Sequence, residues 1–438
     1  MIITISLLAI TAVLSLLITS TGLKKTAIFF SILGAICTFF SVASITIKNM
    51  IWAIVSIFGA NLLYHPMLIT DPLSTAFAAI MIFFLICSLT TLYKSAEADK
   101  AVLMVIATTG GILMFSSNHF LLLFLGLEIL SIPIYILTNN SPHPFSQEAS
   151  LKYMVMGAIS SAFLLFGIAW VFAGTGSMDL QGLNTATTLQ SSDALSFFGG
   201  LFILISILFK LGVAPFHAWV ASVYQTSHHS VTSFMASVVK IATMALLLRF
   251  VFQGISWYHQ DWGIIFIILS ILTIIIGHAL ALKEKNPKKI LAYSSIAHVG
   301  YLLMPLSKLN TNSISVILIY ISIYASASFI TFLTVDAKNR IGKTLFIFGL
   351  LSLAGIPPFP GFFAKFLLFT VVLGYGQKSL VILAIIGSLI ASVYYAKLAY
   401  QKFIQEQQED HPYLISGILA FIALLFGFFP DLFLLLLM

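Results

Sequence analysis

Charged residues are scarce in this chain of 438 residues: they make up 8% of the sequence, whereas hydrophobic residues make up 60%. The mean hydropathy is +1.08. This composition excludes a soluble globular protein and places the chain in a lipid bilayer. The sequence therefore predicts an all-α polytopic membrane protein.

Several functional motifs are missing as well. The only two cysteines, Cys37 and Cys87, lie inside apolar runs and have no metal-binding or iron–sulfur spacing. Neither GxxxxGK[ST] nor a GxGxxG between a strand and a helix occurs, so nucleotide chemistry is not expected on this chain. The first twenty residues lack a basic segment and a small-residue cleavage site, which predicts a retained span and not a signal peptide.

Apolar windows of about twenty residues, enough to cross a hydrocarbon core of about 30 Å, recur along the whole chain. Residues 49–71 are also apolar but are interrupted by Asn61, His65 and Pro66, which favours a short extramembrane hairpin or an interfacial segment over a further span. Fourteen spans are predicted, near 1–22, 26–47, 72–94, 100–117, 118–139, 149–173, 195–223, 230–253, 261–282, 287–306, 313–336, 342–375, 378–403 and 411–436.

Lysine and arginine are distributed unequally between the two sides of these spans. Fourteen lie on one side, and four lie on the other, namely Lys48, Arg249, Lys308 and Lys378. The positive-inside rule therefore predicts that the richer side is cytoplasmic and that both termini are outside. The net charge of +7 is explained by this topology, and no nucleic-acid partner is expected.

Three bases remain within the predicted spans: Lys210, Lys240 and Lys365. A charged lysine at the centre of a membrane helix costs about 2.5–3.5 kcal/mol on insertion scales, so it normally faces a polar cavity or a partner. Two of the three lie beside predicted helix breaks, and broken helices in corresponding positions of two halves indicate an ion pathway. The breaks are Gly212 and Pro215 after Lys210, and Pro357, Pro358 and Pro360 before Lys365.

Glu128 is the one acidic residue deep in an apolar run, LLLFLGLEILSIPIY. We expect it to form a coupled proton site with Lys210; the alternative is a static ion pair that only fixes helix packing. Lys240 has no proline beside it and is either a proton relay or a structural lysine reaching toward the membrane boundary.

Four further residues are candidate relays, each with a structural alternative. His298 has Tyr293, Ser294, Ser295 and Tyr301 near it in the sequence, and the others are His217, His278 and Lys152. Each histidine can carry protons near physiological pH or be a hydrogen-bonded packing residue. Lys152 follows Glu148 at i+4, a spacing that equally suits an ordinary pair on a helix surface.

The pair His228 and His229 falls in a predicted cytoplasmic turn. A solvated loop is favoured there over a metal site, because no further ligands occur at a metal-binding spacing.

Five segments resemble the antiporter-like membrane subunits of respiratory complex I, the NADH:quinone oxidoreductase, and most closely their N type. The similarity extends from about residue 60 to residue 410. The segments are LLLFLGLEILSIPIYIL, QEASLKYMVMGAISSAFLLFGIAWVFAGTGS, ILFKLGVAPFHAWVASVYQ, KKILAYSSIAHVGYLLM and LAGIPPFPGFFAKF.

The resemblance implies a fold of about fourteen transmembrane helices with two inverted five-helix repeats, each containing a broken helix. The first repeat is expected at 100–253 and the second at 261–403, with N-terminal spans at 1–94 and a last span at 411–436, all in one membrane domain. The lysine at 365 favours the N or L type over M, and an end just after the fourteenth span favours N over L. One departure from the family is the turn Thr226-Ser227-His228-His229, which usually reads Gly-Ala-Pro or similar.

The resemblance also implies a proton path through Glu128, Lys210, Lys240 and Lys365. Redox chemistry is expected on other subunits, which would carry NADH, FMN, iron–sulfur clusters and quinone; no cofactor or metal is expected on this chain. The partners would be other membrane subunits of the complex and the bilayer of a bacterial inner membrane.

Two other functions are kept open. One is a subunit of a multi-subunit cation/proton antiporter, which shares these motifs and would show sodium-dependent transport. The other is a membrane scaffold that transports nothing, against which the four buried charges argue.

Overall fold

The structure is a computed structural model that describes residues 1–55, 67–139, 141–180, 193–254, 259–308 and 310–404. Within these ranges the chain is helical apart from connections and two isolated β-bridges, which confirms the predicted all-α class. The helices are α1 (Ile2–Ser20), α2 (Lys24–Val55), α3 (Pro72–Ser95), α4 (Ala98–Ser116), α5 (Phe120–Asn139), α6 (Ser146–Thr175), α7 (Asp193–Leu211), α8 (Val220–Thr226), α9 (His229–Gly254), α10 (His259–Lys283), α11 (Pro287–Leu303), α12 (Thr311–Thr334), α13 (Arg340–Ala354), α14 (Pro360–Gly374) and α15 (Lys378–Ile404).

Twelve helices in the described part of the chain are long and apolar enough to cross a membrane. The twelfth predicted span, 342–375, is divided between α13 and α14, which are too short to cross singly. Helix α2 continues to Val55, past the predicted end at residue 47. The predicted last span, 411–436, and the part of the segment 49–71 between residues 56 and 66 lie outside the described residues.

The connections at one end of the bundle contact each other, as alternating spans require. Ser141 Oγ donates to the carbonyl of Thr226 over 2.6 Å, and Lys288 Nζ lies 3.2 Å from the carboxylate of Asp336. We call this end, with connections 21–23, 96–97, 140–145, 227–228, 284–286 and 335–339, the basic end. The connections of the opposite end meet likewise: Asn118 N donates to Met67 O over 2.9 Å.

Helices α9, α11 and α12 form the centre of the bundle. The apolar windows of α9 and α12 are entirely buried and that of α11 nearly so, whereas less than half of the window is buried in α1, α6, α10 and α15. Helix α9 contains two π-helical segments, Met235–Val239 and Phe250–Gly254, and such segments frequently occur at functional sites. Lys240 follows the first of them directly.

Both predicted helix breaks are present, and each begins at a glycine with positive φ. Helix α7 ends before Gly212 (φ 72°) and α13 before Gly355 (φ 77°). A left-handed glycine is the usual way to end a helix. In each case the next amide closes the turn, since Val213 N donates to Leu208 O and Ile356 N to Leu351 O.

The two breaks occupy the fourth span of two successive five-span units, α4–α9 and α10–α15. Because five is an odd number, the second unit starts at the opposite end of the bundle from the first. The predicted pair of inverted repeats, each with a broken helix, is thereby confirmed.

The prediction that Arg249 lies in a connection is wrong. Arg249 belongs to α9, its side chain is completely buried, and its guanidinium lies 2.8 Å from Asp71. Asp71 caps the start of α3 and also accepts from Ser74 N. The buried cation is therefore tolerated because a carboxylate 178 residues away in sequence reaches it.

Candidate functional site

Lys210 lies in the last turn of α7, at the first break, and is almost fully buried. Its Nζ donates to Tyr135 Oη over 3.0 Å. The ammonium also lies 5.0 Å from the ring centre of Tyr135 and 5.3 Å from that of Tyr153. Since aromatic faces attract cations, two tyrosines from α5 and α6 form the surroundings of this charge.

Glu128 is half-buried on α5 and accepts a hydrogen bond from Ser161 Oγ at 2.5 Å. None of the ion pairs in the described part of the chain joins it to Lys210. Glu128 precedes Tyr135 by two helical turns, a spacing that puts both side chains on the same face of α5. Coupling between Glu128 and Lys210 stays a prediction, and in this structure it would run through Tyr135.

Lys240 lies near the middle of the central helix α9, with 3% of its surface exposed. Its Nζ donates to both the backbone carbonyl and Oγ of Ser295, each over 3.0 Å, and lies 5.5 Å from the ring centre of Tyr324. Lys240 is buried and is held by hydrogen-bond acceptors on α11 and by an aromatic ring on α12, so it does not reach toward the membrane boundary.

His298, one turn after Ser295 on α11, is buried in a cluster of tyrosines. Nδ1 lies 2.8 Å from Tyr320 Oη, and Nε2 lies 3.2 Å from Tyr395 Oη. Tyr395 Oη also shares a hydrogen bond with Ser294 Oγ. Because a neutral imidazole donates from one nitrogen and accepts at the other, His298 can take a proton on one side and release one on the other.

Lys365 lies on α14, just after the second break, and is also buried. Its Nζ donates to the carbonyls of Leu353 and Ala354 and to Ser388 Oγ, each over 2.9 Å. The two carbonyls belong to the last residues of α13, which have no helical partner because the helix ends there. The ammonium also lies 5.6 Å from the ring centre of Tyr301.

A small cavity of about 10 Å³ lies between the surroundings of His298 and those of Lys365. It is close to the minimum that accommodates one water molecule. Its lining includes His298, Tyr320, Tyr324, Ser352 and Lys365. Polar groups thus extend from Lys240 through Ser295 and His298 to Lys365.

His278 lies on α10 beside the same cluster. Its Nε2 lies 2.7 Å from Tyr301 Oη and its Nδ1 lies 3.1 Å from Tyr394 Oη. A Cβ on Gly387 would lie 2.9 Å from the imidazole, so glycine is needed for α15 to approach it. His278 therefore adjoins Lys365 through Tyr301, whose ring faces the ammonium.

Two other candidate relays are placed apart from this cluster. Lys152 is exposed and forms a surface ion pair with Glu148 at 2.6 Å, which favours the structural alternative. His217 is half-buried within the first break, and in the described part of the molecule no hydrogen bond or ion pair joins it to Lys210.

The tyrosines are the main component that sequence reasoning missed. Among the sequence neighbours considered for His298, Tyr301 contributes a ring contact and Ser294 a hydrogen bond through Tyr395. Its direct hydrogen-bond partners, Tyr320 and Tyr395, come from other helices. A usable signal was the occurrence of tyrosine pairs and repeats inside apolar spans, which is costly unless the hydroxyls find partners.

No cluster of three or more histidine, cysteine or acidic side chains suited to a metal ion occurs within the described ranges. The groups that the structure brings together at this site are lysine, imidazole, carboxyl and hydroxyl groups, all of which donate or accept protons.

Comparison with known proteins gives a consistent result. Residues 117–391, more than half of the chain, match the family described as NADH:quinone oxidoreductase/Mrp antiporter, TM. The NADH-quinone oxidoreductase subunit N of Flavobacterium psychrophilum is 31% identical over 93% of this chain and 98% of its own length. That of Mycobacterium tuberculosis is 33% identical over 72% of this chain, which spans only 64% of that relative's length. Among solved structures, a chain of respiratory complex I from Thermus thermophilus with bound aureothin aligns with a TM-score of 0.80 and 26% identity over 98% of both chains.

Proposed function

The chain belongs to the NADH:quinone oxidoreductase/Mrp antiporter family of membrane proteins, and from this premise we propose that it is a proton-translocating subunit of the N type in a bacterial NADH:quinone oxidoreductase. In this role it couples quinone reduction elsewhere in the complex to proton transfer across the membrane. NADH, FMN, iron–sulfur clusters and quinone would be bound by other subunits. Its partners are the neighbouring membrane subunits and the lipid of the inner membrane.

The observation that carries this proposal is the line of proton-carrying groups through the middle of the bundle. Lys240 donates to Ser295, His298 lies one turn after Ser295 on α11, and both His298 and Lys365 line the small cavity. If the lysines only fixed the packing of the helices, apolar side chains would be expected in their place, because a charge at mid-membrane depth costs about 2.5–3.5 kcal/mol on insertion scales.

The proposed path includes Glu128, Lys210 and Lys240 in the first unit and Lys365 in the second. Glu128 modulates the charge of Lys210 through Tyr135. Lys240 then exchanges protons with Lys365 by way of His298, and His278 is a side branch at Tyr301. The basic end faces the cytoplasm and both termini face outward, as the distribution of lysine and arginine predicts.

The test is a pair of substitutions at Lys240, measured in purified complex reconstituted into vesicles. Lys240→Met removes the charge and its desolvation cost, so the complex should assemble but build a proton gradient at least about tenfold more slowly, a barrier increase of about 1.4 kcal/mol. Lys240→Arg should also assemble and transfer protons poorly, because arginine stays protonated in proteins.

Lys152→Met is the matched control, since it removes an exposed lysine from the same chain. A normal gradient with Lys240→Met would refute the relay role of this residue and favour the scaffold function.

A second candidate function is a subunit of a multi-subunit cation/proton antiporter. It is favoured by the family description, which covers Mrp antiporters as well as NADH:quinone oxidoreductase. Transport that depends on sodium, measured in vesicles without NADH or quinone, would support this function. Proton pumping driven by quinone reduction with no sodium requirement would exclude it.

A further inference from the structure

The histidine pair His228 and His229, which the proposed path does not include, lies where α8 turns into α9 at the basic end. The two ring centres are 3.8 Å apart, and both side chains are half-buried. The pair is therefore only partly solvated, because the turn has only two residues between the helices and packs against its neighbours. Lys288 Nζ donates to Ser227 O over 3.4 Å, and Ser141 Oγ donates to Thr226 O.

Two lysines and two carboxylates face the pair. They form one ion pair on each side, Lys100 with Glu97 at 2.7 Å and Lys288 with Asp336 at 3.2 Å. Burial lowers the pKa of His228, Lys100 and Lys288 lower it further, and Glu97 and Asp336 offset part of this effect. His228 is therefore neutral at neutral pH, with one nitrogen free to accept a proton.

A stripe of buried serines leads from this pair along α9. Ser230, Ser233 and Ser237 precede Lys240 with spacings of three, four and three residues, and Ser237 lies within the π-helical segment that ends just before Lys240. Each serine is at most 2% exposed. His228 Nδ1 lies 2.8 Å from Ser230 Oγ, at the start of the stripe. Over ten residues the stripe covers about 15 Å.

The hydroxyls of Ser233 and Ser237 donate to carbonyls one turn back, at 2.9 and 2.8 Å. Their lone pairs stay available to accept. The serines thus provide the polar groups on the otherwise apolar route between the basic end and Lys240.

We propose that His228 and His229 take up protons at the basic end and deliver them along this serine stripe to Lys240. In each step the neutral imidazole of His228 gains a proton at Nε2 and gives its Nδ1 proton to Ser230 Oγ, while the hydroxyl proton of Ser230 moves on toward Ser233. The ring then returns to the Nδ1–H tautomer, so no net charge is stored on it. The inference depends on the proposed proton-translocating function, because it names where that path receives its protons.

The histidine pair should limit the pumping rate only at high pH, where few protons reach the protein from solution. At pH 8 the proton concentration is about 10 nM, so diffusional capture at about 10⁹–10¹⁰ M⁻¹s⁻¹ delivers roughly 10–100 protons per second to one group, within the usual range of enzyme turnover. At pH 6 the supply is about a hundred times larger by the same relation. Loss of an uptake site should therefore slow pumping at pH 8 and have little effect at pH 6.

The experiment replaces both histidines by glutamine, which keeps hydrogen bonding but does not titrate. Proton pumping by the complex is measured in vesicles at pH 6, 7 and 8 on the side that the basic end faces. We expect pumping by His228→Gln/His229→Gln to be about three- to tenfold slower at pH 8 and nearly normal at pH 6. Free imidazole added on that side should restore most of the lost rate.

His143→Gln is the matched control, since His143 is likewise a half-buried histidine and lies in a connection at the same end. If the double variant does not assemble, His228→Gln and His229→Gln are measured singly. A pH profile equal to that of His143→Gln, without an effect of imidazole, would overturn the inference.

The Lys240→Met complex separates this result from failure of the proposed function. If Lys240→Met stops pumping while the double histidine variant keeps a normal profile, only the uptake site is wrong. If Lys240→Met pumps normally, the proton path itself is wrong, whatever the histidine variants do.

Discussion

Lys210 and Lys365 lie at corresponding breaks of the two five-span units, yet their ammonium groups are held differently. Lys210 is on the half-helix before its break and donates to the hydroxyl of Tyr135. Lys365 is on the half-helix after its break and reaches back to the carbonyls of Leu353 and Ala354 and to Ser388.

This difference matters for proton transfer. A backbone carbonyl can only accept a hydrogen bond, so the carbonyls around Lys365 act as acceptors whatever the rest of the site does. A tyrosine hydroxyl can donate or accept, and therefore adapts to either charge state of Lys210. The repeated helix break thus produces one lysine held by fixed acceptors and one held by a group that can reverse its role.

Of the changes compared between the two breaks, the largest loss of pumping is expected when the position of Lys365 against the carbonyls of Leu353 and Ala354 is disturbed. A Cβ on Gly355 would lie 2.8 Å from Lys365 Cδ, whereas a Cβ on Gly212 would lie 2.7 Å from Val220 Cγ2 and touch no lysine. Both glycines have positive φ, so alanine costs about 1–2 kcal/mol at either position. Gly355→Ala should slow pumping about tenfold or more, and Gly212→Ala clearly less.

The measurement is pumping rate per assembled complex in vesicles, with assembly followed separately to remove the shared backbone cost. Equal losses for the two variants would mean that the position of Lys365 relative to its carbonyls does not matter.

A smaller effect is expected from removing single hydroxyls. Tyr135→Phe keeps the ring but deletes the only hydrogen-bond partner that the described residues offer to Lys210 Nζ. A hydrogen bond to a charged group is worth about 1.5–3 kcal/mol, so pumping should fall about tenfold. Ser388→Ala leaves Lys365 both carbonyls, and its effect should be about twofold. If Ser388→Ala proved more harmful than Tyr135→Phe, the proposed difference between the two sites would be reversed.

The smallest effect is expected for a lysine outside both sites. Lys152 is 61% exposed and paired with Glu148, and exposed pairs contribute little. Lys152→Met should change pumping by less than about twofold, in contrast to the loss expected for the same substitution at Lys240. A severe loss of pumping with Lys152→Met would make this residue part of the proton path. It would also show that the exposure of a lysine in the single chain does not indicate whether the lysine carries protons.

Much of the fold could be predicted from local features. Apolar windows identify spans because a helix must satisfy its own backbone in lipid, and glycine and proline identify breaks because they end helices wherever they occur. The buried lysines were found by elimination, since a base far from any connection is expensive. That reasoning failed at Arg249, whose neutralising carboxylate, Asp71, belongs to another helix.

The partners of the functional groups could not be predicted in the same way. His298 bonds to Tyr320 and Tyr395, which are 22 and 97 residues away, and Lys210 bonds to Tyr135, 75 residues away. Which faces of two helices meet depends on the rotation of each helix in the bundle. Apolar spans encode this rotation weakly, because both the lipid-facing and the buried sides are hydrophobic.

The sequence by itself determined that this chain spans a membrane many times, that two of its spans are broken and that lysines lie buried within it, because each of these follows from the cost of exposing polar groups to lipid. Only the tertiary structure decided what those lysines touch. The carbonyls at Lys365, the tyrosines around Lys210 and His298, and the histidine pair above the serine stripe are brought together by packing between helices distant in sequence, which depends on all the side chains at each contact at once.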